Sequence, residues 1–338
     1  MTSVPATPYL VVDEEVLRDN IARMAARGRD AGFALRPHVK THKCLEIARL
    51  QVQAGAVGIT VATLGEAEVF AEGGFDDIFI AYPLWVDTAK IERIRALAQR
   101  CRLRVGVDSL QGVAQLARAA ARAGAVPLEV VVEVDSGHHR SGVSPGEAGG
   151  VARAVIEAGL ACAGIFTFPG HSYALGGGRA QAGGDEAAAL AQAATRLRAA
   201  GVEPRIVSGG STPSLEFADS SVATERRPGV YVFGDAQQWE LGSARADEIA
   251  LTAYATVVSH AGGRAVLDSG SKVIGADRAG YATGFGRLLD YPDARIVLLS
   301  EHHAVVDMVG GELPELGSIV RVVPNHVCNA VNLVDKLV

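Results

Sequence analysis

Between residues 33 and 235, short apolar runs rich in β-branched residues alternate with longer stretches whose apolar positions recur every three or four residues. These are the periods of buried strands and amphipathic helices. Eight runs read as strands: FALRPHVK (33–40), AVGITVA (56–62), DIFIAY (77–82), RLRVGVD (102–108), LEVVVEVD (128–135), ACAGIFTF (161–168), PRIVSGG (204–210) and GVYVFGD (229–235). Between most of them lie helical segments such as LGEAEVFAEGG, SLQGVAQLARAAARAG and DEAAALAQAATRLRAAG, several ending on the glycine that helix C-termini favour. Eight strand–helix units over roughly 200 residues predict an α/β fold of the (β/α)8 TIM-barrel type, because open doubly wound sheets have fewer strands.

The pattern then changes. IALTAYATVVSHAGGRAVLDSG (249–270) and GSIVRVVPNHV (317–327) show strand patterning with short glycine turns and almost no helical period. The boundaries expected are a barrel over 14–244 and a mostly β domain over 245–338. The opening strand PYLVVD (8–13) is surplus to the eight, and residues 1–13 are assigned to the β domain.

A chain of 338 residues, 49% of them apolar, can bury a large core without staples. Its four cysteines, Cys44, Cys101, Cys162 and Cys328, are scattered without a CxxC pair, which predicts a reducing, cytoplasmic setting over a disulfide framework. The start of the chain has no basic stretch followed by a long apolar one, and no apolar run approaches the ~20 residues of a membrane span. The net charge of −6, with both signs interleaved, offers no basic stripe for nucleic acid. The Ala/Arg-rich LARAAARAG (116–124) reads as helix propensity on a solvated face.

Three residues break the apolar logic. In LRPHVKTHKC (35–44), His38, Lys40 and His42 alternate, so an extended strand would place all three on one face. Lys40 closes the first strand, Arg140 follows the fifth in VDSGHHRSGV, His171 and Tyr173 follow the sixth in FPGHSY, and SGGSTPS (208–214) follows the seventh. In a parallel barrel these C-terminal strand ends converge on one mouth. A lysine beside other cations has its amine favoured in the neutral, nucleophilic form, and a Gly/Ser/Thr loop with outward amides cradles a phosphate. Together they describe a site for a phosphate-bearing aldehyde, pyridoxal phosphate. A second constellation is PNHVCNAVN (324–332), where His326 and Cys328 are two apart, share a face if the segment is a strand, and suit one divalent ion with coordination positions left open.

RPHVKTHK, GHSY, SGGSTP, RPGVYVFGD and PNHVCNAVNL together resemble the D-serine dehydratase and D-threonine aldolase family, the metal-dependent branch of the alanine-racemase-like (fold type III) pyridoxal-phosphate enzymes, and the resemblance covers essentially the whole chain. It implies that Lys40 carries the cofactor while Lys43 is ordinary, that Arg140 lies near the cofactor's phenolic oxygen, and that Tyr173, Ser211, Thr212 and the backbone at Gly229 and Val230 lie on its phosphate side. It makes His326 and Cys328 the metal pair and brings in His303, from SEHH (300–303), as base or substrate contact. His38 and His42 would tune or position the lysine. The chain departs from the pattern at Phe166, where some relatives carry a tyrosine, and at CNAVN, where Pro-Thr is more usual. A homodimer is implied, since related two-domain enzymes build the site from the barrel of one subunit and the β domain of the other.

The resemblance leaves two reactions on a D-3-hydroxy amino acid: dehydration to a keto acid and ammonia, or retro-aldol cleavage to glycine and an aldehyde. Within the family HxC resembles the dehydratases and HxD the aldolases, and a thiolate favours zinc over manganese or magnesium, so dehydration is expected. A racemase would want a tyrosine from the β domain, with Tyr254 and Tyr281 as the candidates, and a carrier of the cofactor would need neither the β domain nor the HxC.

Overall fold

The computed structural model describes residues 5–122 and 128–338; Ala123 and Gly124, at the end of the helical stretch begun at Ser109, lie outside the described residues. The chain falls into two compact units, Met24–Gly229 and the residues up to Arg23 with Val230–Val338. Strand β1 (Tyr9–Val12) and helix α1 (Glu14–Ala31) open it.

The first unit runs β2 (Ala34–Leu35), α2 (Leu45–Gln53), β3 (Ile59–Val61), α3 (Leu64–Glu72), β4 (Asp77–Pro83), α4 (Thr88–Arg100), β5 (Arg102–Val107), α5 (Leu110–Arg122), β6 (Leu128–Glu133), α6 (Ala148–Glu157), β7 (Ala161–Phe166), α7 (Gly178–Ala199), β8 (Ile206–Gly209) and β9 (Glu225–Arg226). The eight strands are parallel, in the order β2-β9-β8-β7-β6-β5-β4-β3. The sheet closes through the backbone: Val57 N–H donates to Leu35 O and Thr60 N–H to Pro37 O, both at 2.8 Å. Some of the helices start at a side-chain cap. Thr63 and Glu66, for example, form a reciprocal capping box at α3.

Two expected strands are corrected. GVYVFGD is not the eighth strand; Val230–Val232 is a turn of 3-10 helix, and the eighth strand is Glu225–Arg226. FALRPHVK forms a continuous strand only at Ala34–Leu35; one further parallel bridge, His38 to Thr60, follows before the chain turns at Val39–Thr41 into a second 3-10 helix.

Inside the barrel the side chains form layers, as such barrels require. The middle layer is apolar: Phe79, Val131, Ala163, Phe166 and Ile206 pack together, with Phe79 and Phe166 edge to face at 5.1 Å. Gly106 makes room for this, since a Cβ there would lie 2.7 Å from Phe166 Cζ. Toward the N-terminal ends of the strands lies a charged floor. The Asp77 carboxylate accepts from the guanidinium groups of both Arg36 and Arg104; Arg36 also pairs with Glu225 at 3.0 Å and Arg104 with Glu129 at 2.8 Å. A second buried pair, Arg226 with Glu186 of α7 at 2.7 Å, ties β9 to the helical layer.

The second unit adds α8 (Ala236–Glu240), β10 (Leu251–Ser259), β11 (Ala265–Leu267), α9 (Ser271–Ile274), β12 (Gly286–Leu288), β13 (Arg295–Leu299), β14 (Ala304–Asp307), β15 (Ile319–Pro324) and α10 (Val327–Asn332). Its sheet is antiparallel, in the order β1-β10-β11-β14-β13-β12-β15, and it curls back on itself because β15 also pairs with β10. β1 lies along β10 with Tyr9 opposite Tyr254 and Val12 opposite Leu251. No described helix is long and apolar enough to cross a membrane.

Candidate active site

Lys40 occupies the middle of the 3-10 turn that follows β2, which His38 caps by accepting the Lys40 N–H on Nδ1 at 3.4 Å. The expected alternation of His38, Lys40 and His42 on one strand face is therefore not realised. His42 turns into the helical layer, where it is 2% exposed, meets Gln51 of α2 at 3.2 Å through Nε2, accepts the Cys44 N–H on Nδ1 at 3.1 Å and stands edge-on to Phe70 of α3. Burial pushes its pKa down to about 4, so it is a neutral packing residue. His38 belongs to the mouth. Burial drives its pKa well below the usual histidine range, and the cationic side chains of Lys40, Arg227 and Arg140 deepen the shift. Among the described residues, no group accepts a hydrogen bond from the Lys40 amine.

The opposite wall comes from β6 and β7. Arg140 is exposed, its guanidinium 4.9 Å above the centre of the Phe168 ring, and with Ser141 it borders a cleft of about 400 Å³ at the ends of β4 and β5, lined also by Tyr82, Trp85, Asp108 and Ser109. Tyr173 closes the short turn Gly170–Ser172, its ring centre 6.5 Å from that of Phe168. The His171 ring is tied through Nε2 to Asp185 of α7 at 3.2 Å.

The loop after β8 is organised by its own side chains. Ser172, Ser211 and Ser214 form a hydroxyl chain at 2.8 and 2.9 Å. The Gly210 N–H donates to the Glu186 carboxylate and the Ser211 N–H to Ser214 Oγ, so these two amides do not point outward as the sequence suggested. Thr212 is half-buried beside them. Gly229 packs on the Lys40 turn: a Cβ there would lie 2.7 Å from Thr41 Oγ1 and 3.0 Å from His38 O, closer than a side chain allows. Val230, the next residue, belongs to the other unit.

The sequence reading missed two barrel residues. Arg227 follows β9 and is buried, donating to Ser208 Oγ and Thr167 O and lying 5.3 Å from the centre of the Phe166 ring; burial pulls its pKa down to about 10. Its signal was the second arginine of RRPG, hidden because the strand before it is charged. Glu133, at the end of β6, is 3% exposed; Oε1 accepts from Ser141 at 3.0 Å and Oε2 is buried without a hydrogen-bond partner among the described residues. Burial pushes its carboxyl from 4.5 up to about 6. Folding therefore takes up a proton between those values, and the stability that neutral Glu133 supplies is complete below pH ~4.5 and lost as the pH rises through about 6. The stability of Glu133→Gln relative to wild type should accordingly grow by about 2 kcal/mol between pH 4 and pH 8, read from denaturant melts at the two pH values.

An anionic aldehyde fits this mouth. The field at His38 is cationic, no group among the described residues accepts from the lysine amine, and hydroxyls line the loop after β8.

In the second unit β15 ends at Pro324, and His326 is the N-cap of α10, with Cys328 in its first turn. The pair is thus not on a strand; its proximity comes from the start of α10. Val327 N–H donates to Asp235 at 3.2 Å, and the other oxygen of Asp235 caps α8 through Gln238 N–H at 2.8 Å. His326 Nδ1 bonds Asp277 Oδ2 at 2.6 Å. Burial works to lower the pKa of His326, but Asp277 and Cys328 outweigh it and raise it to about 11. Asp277 Oδ1 is buried, with the Asn329 side chain beside it. An imidazole beside a thiol, with a carboxylate fixing the far ring nitrogen, fits a divalent ion of zinc's softness. Among the described residues no third His, Cys, Asp or Glu joins the pair.

His303 lies exposed in the turn between β13 and β14, where its carbonyl accepts from Ser300 N–H at 2.8 Å. Among the described residues it has no interaction with His326 or Cys328. Of the two tyrosines considered for a racemase, Tyr254 packs its ring on Tyr9 at 5.6 Å, and Tyr281 reaches Gln237 at 3.4 Å, its pKa raised by burial.

A parallel barrel with a lysine at its mouth, followed by an antiparallel β unit, is the architecture of the alanine-racemase-like pyridoxal-phosphate enzymes. The family described as alanine racemase, N-terminal domain, matches residues 12–237, and the putative serine dehydratase domain matches residues 250–338. The chain is 35% identical to D-threo-3-hydroxyaspartate dehydratase of Delftia sp. strain HT23, over 95% of this chain and 90% of that one. It is also 35% identical to D-threonine aldolase of Arthrobacter sp., over 98% and 88%. The solved structure of the Delftia dehydratase superimposes with a TM-score of 0.90 at 33% identity, covering 98% of this chain and 93% of that one. Its cysteine-to-alanine variant, described as metal-free, gives the same TM-score at 32% identity over 98% and 93%. The chain therefore belongs to the D-threonine aldolase and D-3-hydroxy amino acid dehydratase family, lyases of the fold type III, pyridoxal-phosphate-dependent group.

Proposed function

We propose that the protein is a metal-dependent dehydratase of D-3-hydroxy amino acids. The observation that carries the choice of reaction is the sulfur of Cys328 beside His326, the soft donor set expected of the dehydratases. Zinc is the ion this pair suits best. Pyridoxal phosphate at the barrel mouth supplies an aldehyde for the amino group and a sink for the α-carbon's electrons, and the metal supplies Lewis acidity at the 3-hydroxyl.

The chain's own residues do the rest. Lys40, at the barrel mouth, anchors the cofactor and then takes the α proton. Arg140, resting on Phe168, faces the cofactor's phenolic oxygen. Tyr173, Ser211, Thr212 and the backbone of Gly229 and Val230 take the phosphate side, the hydroxyls serving as donors. His326 and Cys328 hold the metal, and Asp235 ties the α10 start to α8. The substrate loses its α hydrogen and 3-hydroxyl as water, and the enamine released hydrolyses to a 2-keto acid and ammonia. Four free thiols support a reducing, cytoplasmic setting, and family analogy supports a homodimer with neither nucleic acid nor membrane as partner.

The test is product analysis with D-serine, D-threonine and 3-hydroxy-D-aspartate, supplied with pyridoxal phosphate and zinc or manganese. Keto acid and ammonia in equal amounts, lost on chelation and restored by metal, are expected. Glycine with an aldehyde would reassign the protein to aldol cleavage, and interconversion of enantiomers without either product would make it a racemase.

A further inference from the structure

We propose that Asp277 is a positioning residue for the metal site: its carboxylate, bonded to His326 Nδ1, fixes the ring so that Nε2 is left to the ion. This deepens the reading of His326 and Cys328 as the metal pair and rests on it.

The placement of Asp277 is specified from several sides within one unit. It stands three residues beyond α9, after Gly275, whose φ of +78° is left-handed and whose missing Cβ would lie 3.3 Å from both Asn329 Cβ and Asp277 Oδ1. Only glycine lets this loop lie flat against α10, the helix that carries Cys328. From the other side the Asn325 side chain, next to His326 in the chain, donates to Gly284 O at 2.8 Å and reaches Asp277 O at 3.5 Å. The result is the 2.6 Å contact of Asp277 Oδ2 with Nδ1. With Nδ1 as the donor, the imidazole is held in the tautomer whose Nε2 lone pair is free, and the carboxylate makes that lone pair more basic. A surface ion pair would have no such consequence, and Asp277 is half-buried, with one oxygen wholly buried.

The experiment measures zinc binding to the full chain by competition with a chromophoric chelator, for wild type, Asp277→Asn, Asp277→Glu and Cys328→Ser. Asp277→Asn keeps shape and volume and should weaken zinc about 10- to 100-fold at unchanged stoichiometry. Asp277→Glu, which keeps a carboxylate within reach, should recover most of the loss. In cobalt-substituted Asp277→Asn the thiolate-to-metal absorption and the d–d bands should match wild type, because the ligands themselves are unchanged. Zinc affinity equal to wild type in Asp277→Asn overturns the inference, and shifted d–d bands would overturn it by making Asp277 a ligand. Equal affinity of wild type and Cys328→Ser would instead remove the metal pair itself, and the inference with it.

Discussion

Lys40→Ala should reduce keto acid release about 10⁴-fold or more while leaving the fold intact. The side chain is half-buried and makes no hydrogen bond among the described residues, so its loss removes neither a cavity-filling group nor an ion-pair partner, and the melting temperature should barely move. What disappears is the amine at the mouth that binds an aldehyde reversibly. Lys40→Arg should be as inactive, since a guanidinium stays protonated and offers no nucleophile. Borohydride treatment should fix the cofactor to wild type and to neither variant. Activity within a factor of ten of wild type in Lys40→Ala would move the anchoring role elsewhere.

Asp77→Ala should destabilise the protein by about 3–5 kcal/mol, the cost of removing one partner from a buried ion pair. Asp77 is the shared acceptor of Arg36 and Arg104 on the barrel floor, and both guanidinium groups are almost wholly shielded. Arg36 retains Glu225 and Arg104 retains Glu129, so each would keep one partner but lose the charge between them, and two like charges would face each other across the gap. Urea unfolding of the variant reads the loss. Because the network is buried, the difference should change little between low and high salt; a change under 1 kcal/mol would mean that water reaches the floor.

This floor also explains where the sequence was legible. Strands such as LEVVVEVD and DIFIAY were visible because their apolar runs face the core between sheet and helices. The last barrel strand, Glu225–Arg226, was invisible because its two residues are charged and compensated by partners distant in sequence, Arg36 and Glu186. Pattern alone cannot report such pairs, and the apolar GVYVFGD took the strand's place in the count. The site residues were identifiable by type and order, but their local geometry was not. Lys40 and the His326–Cys328 pair each sit in a helical turn just past a strand, so an argument from alternating strand faces named these residues for the wrong geometric reason. His42, equal to His38 in the pattern, separated from it only through its packing on Gln51 and Phe70.

The pairing of β1 with β10 has a consequence during synthesis. Residues 9–12 leave the ribosome long before their hydrogen-bonding partners, residues 251–254 and Val338. At translation rates of about 5–20 residues per second, the edge of β1 waits on the order of ten seconds or longer for its neighbour. The barrel strands between them can pair in order as they emerge, whereas Tyr-Leu-Val-Val remains an open, aggregation-prone edge until the second unit begins to appear. Yield in a fast-translating host should therefore respond more to chaperones that shield the nascent N-terminus than to mutations that stabilise the finished fold.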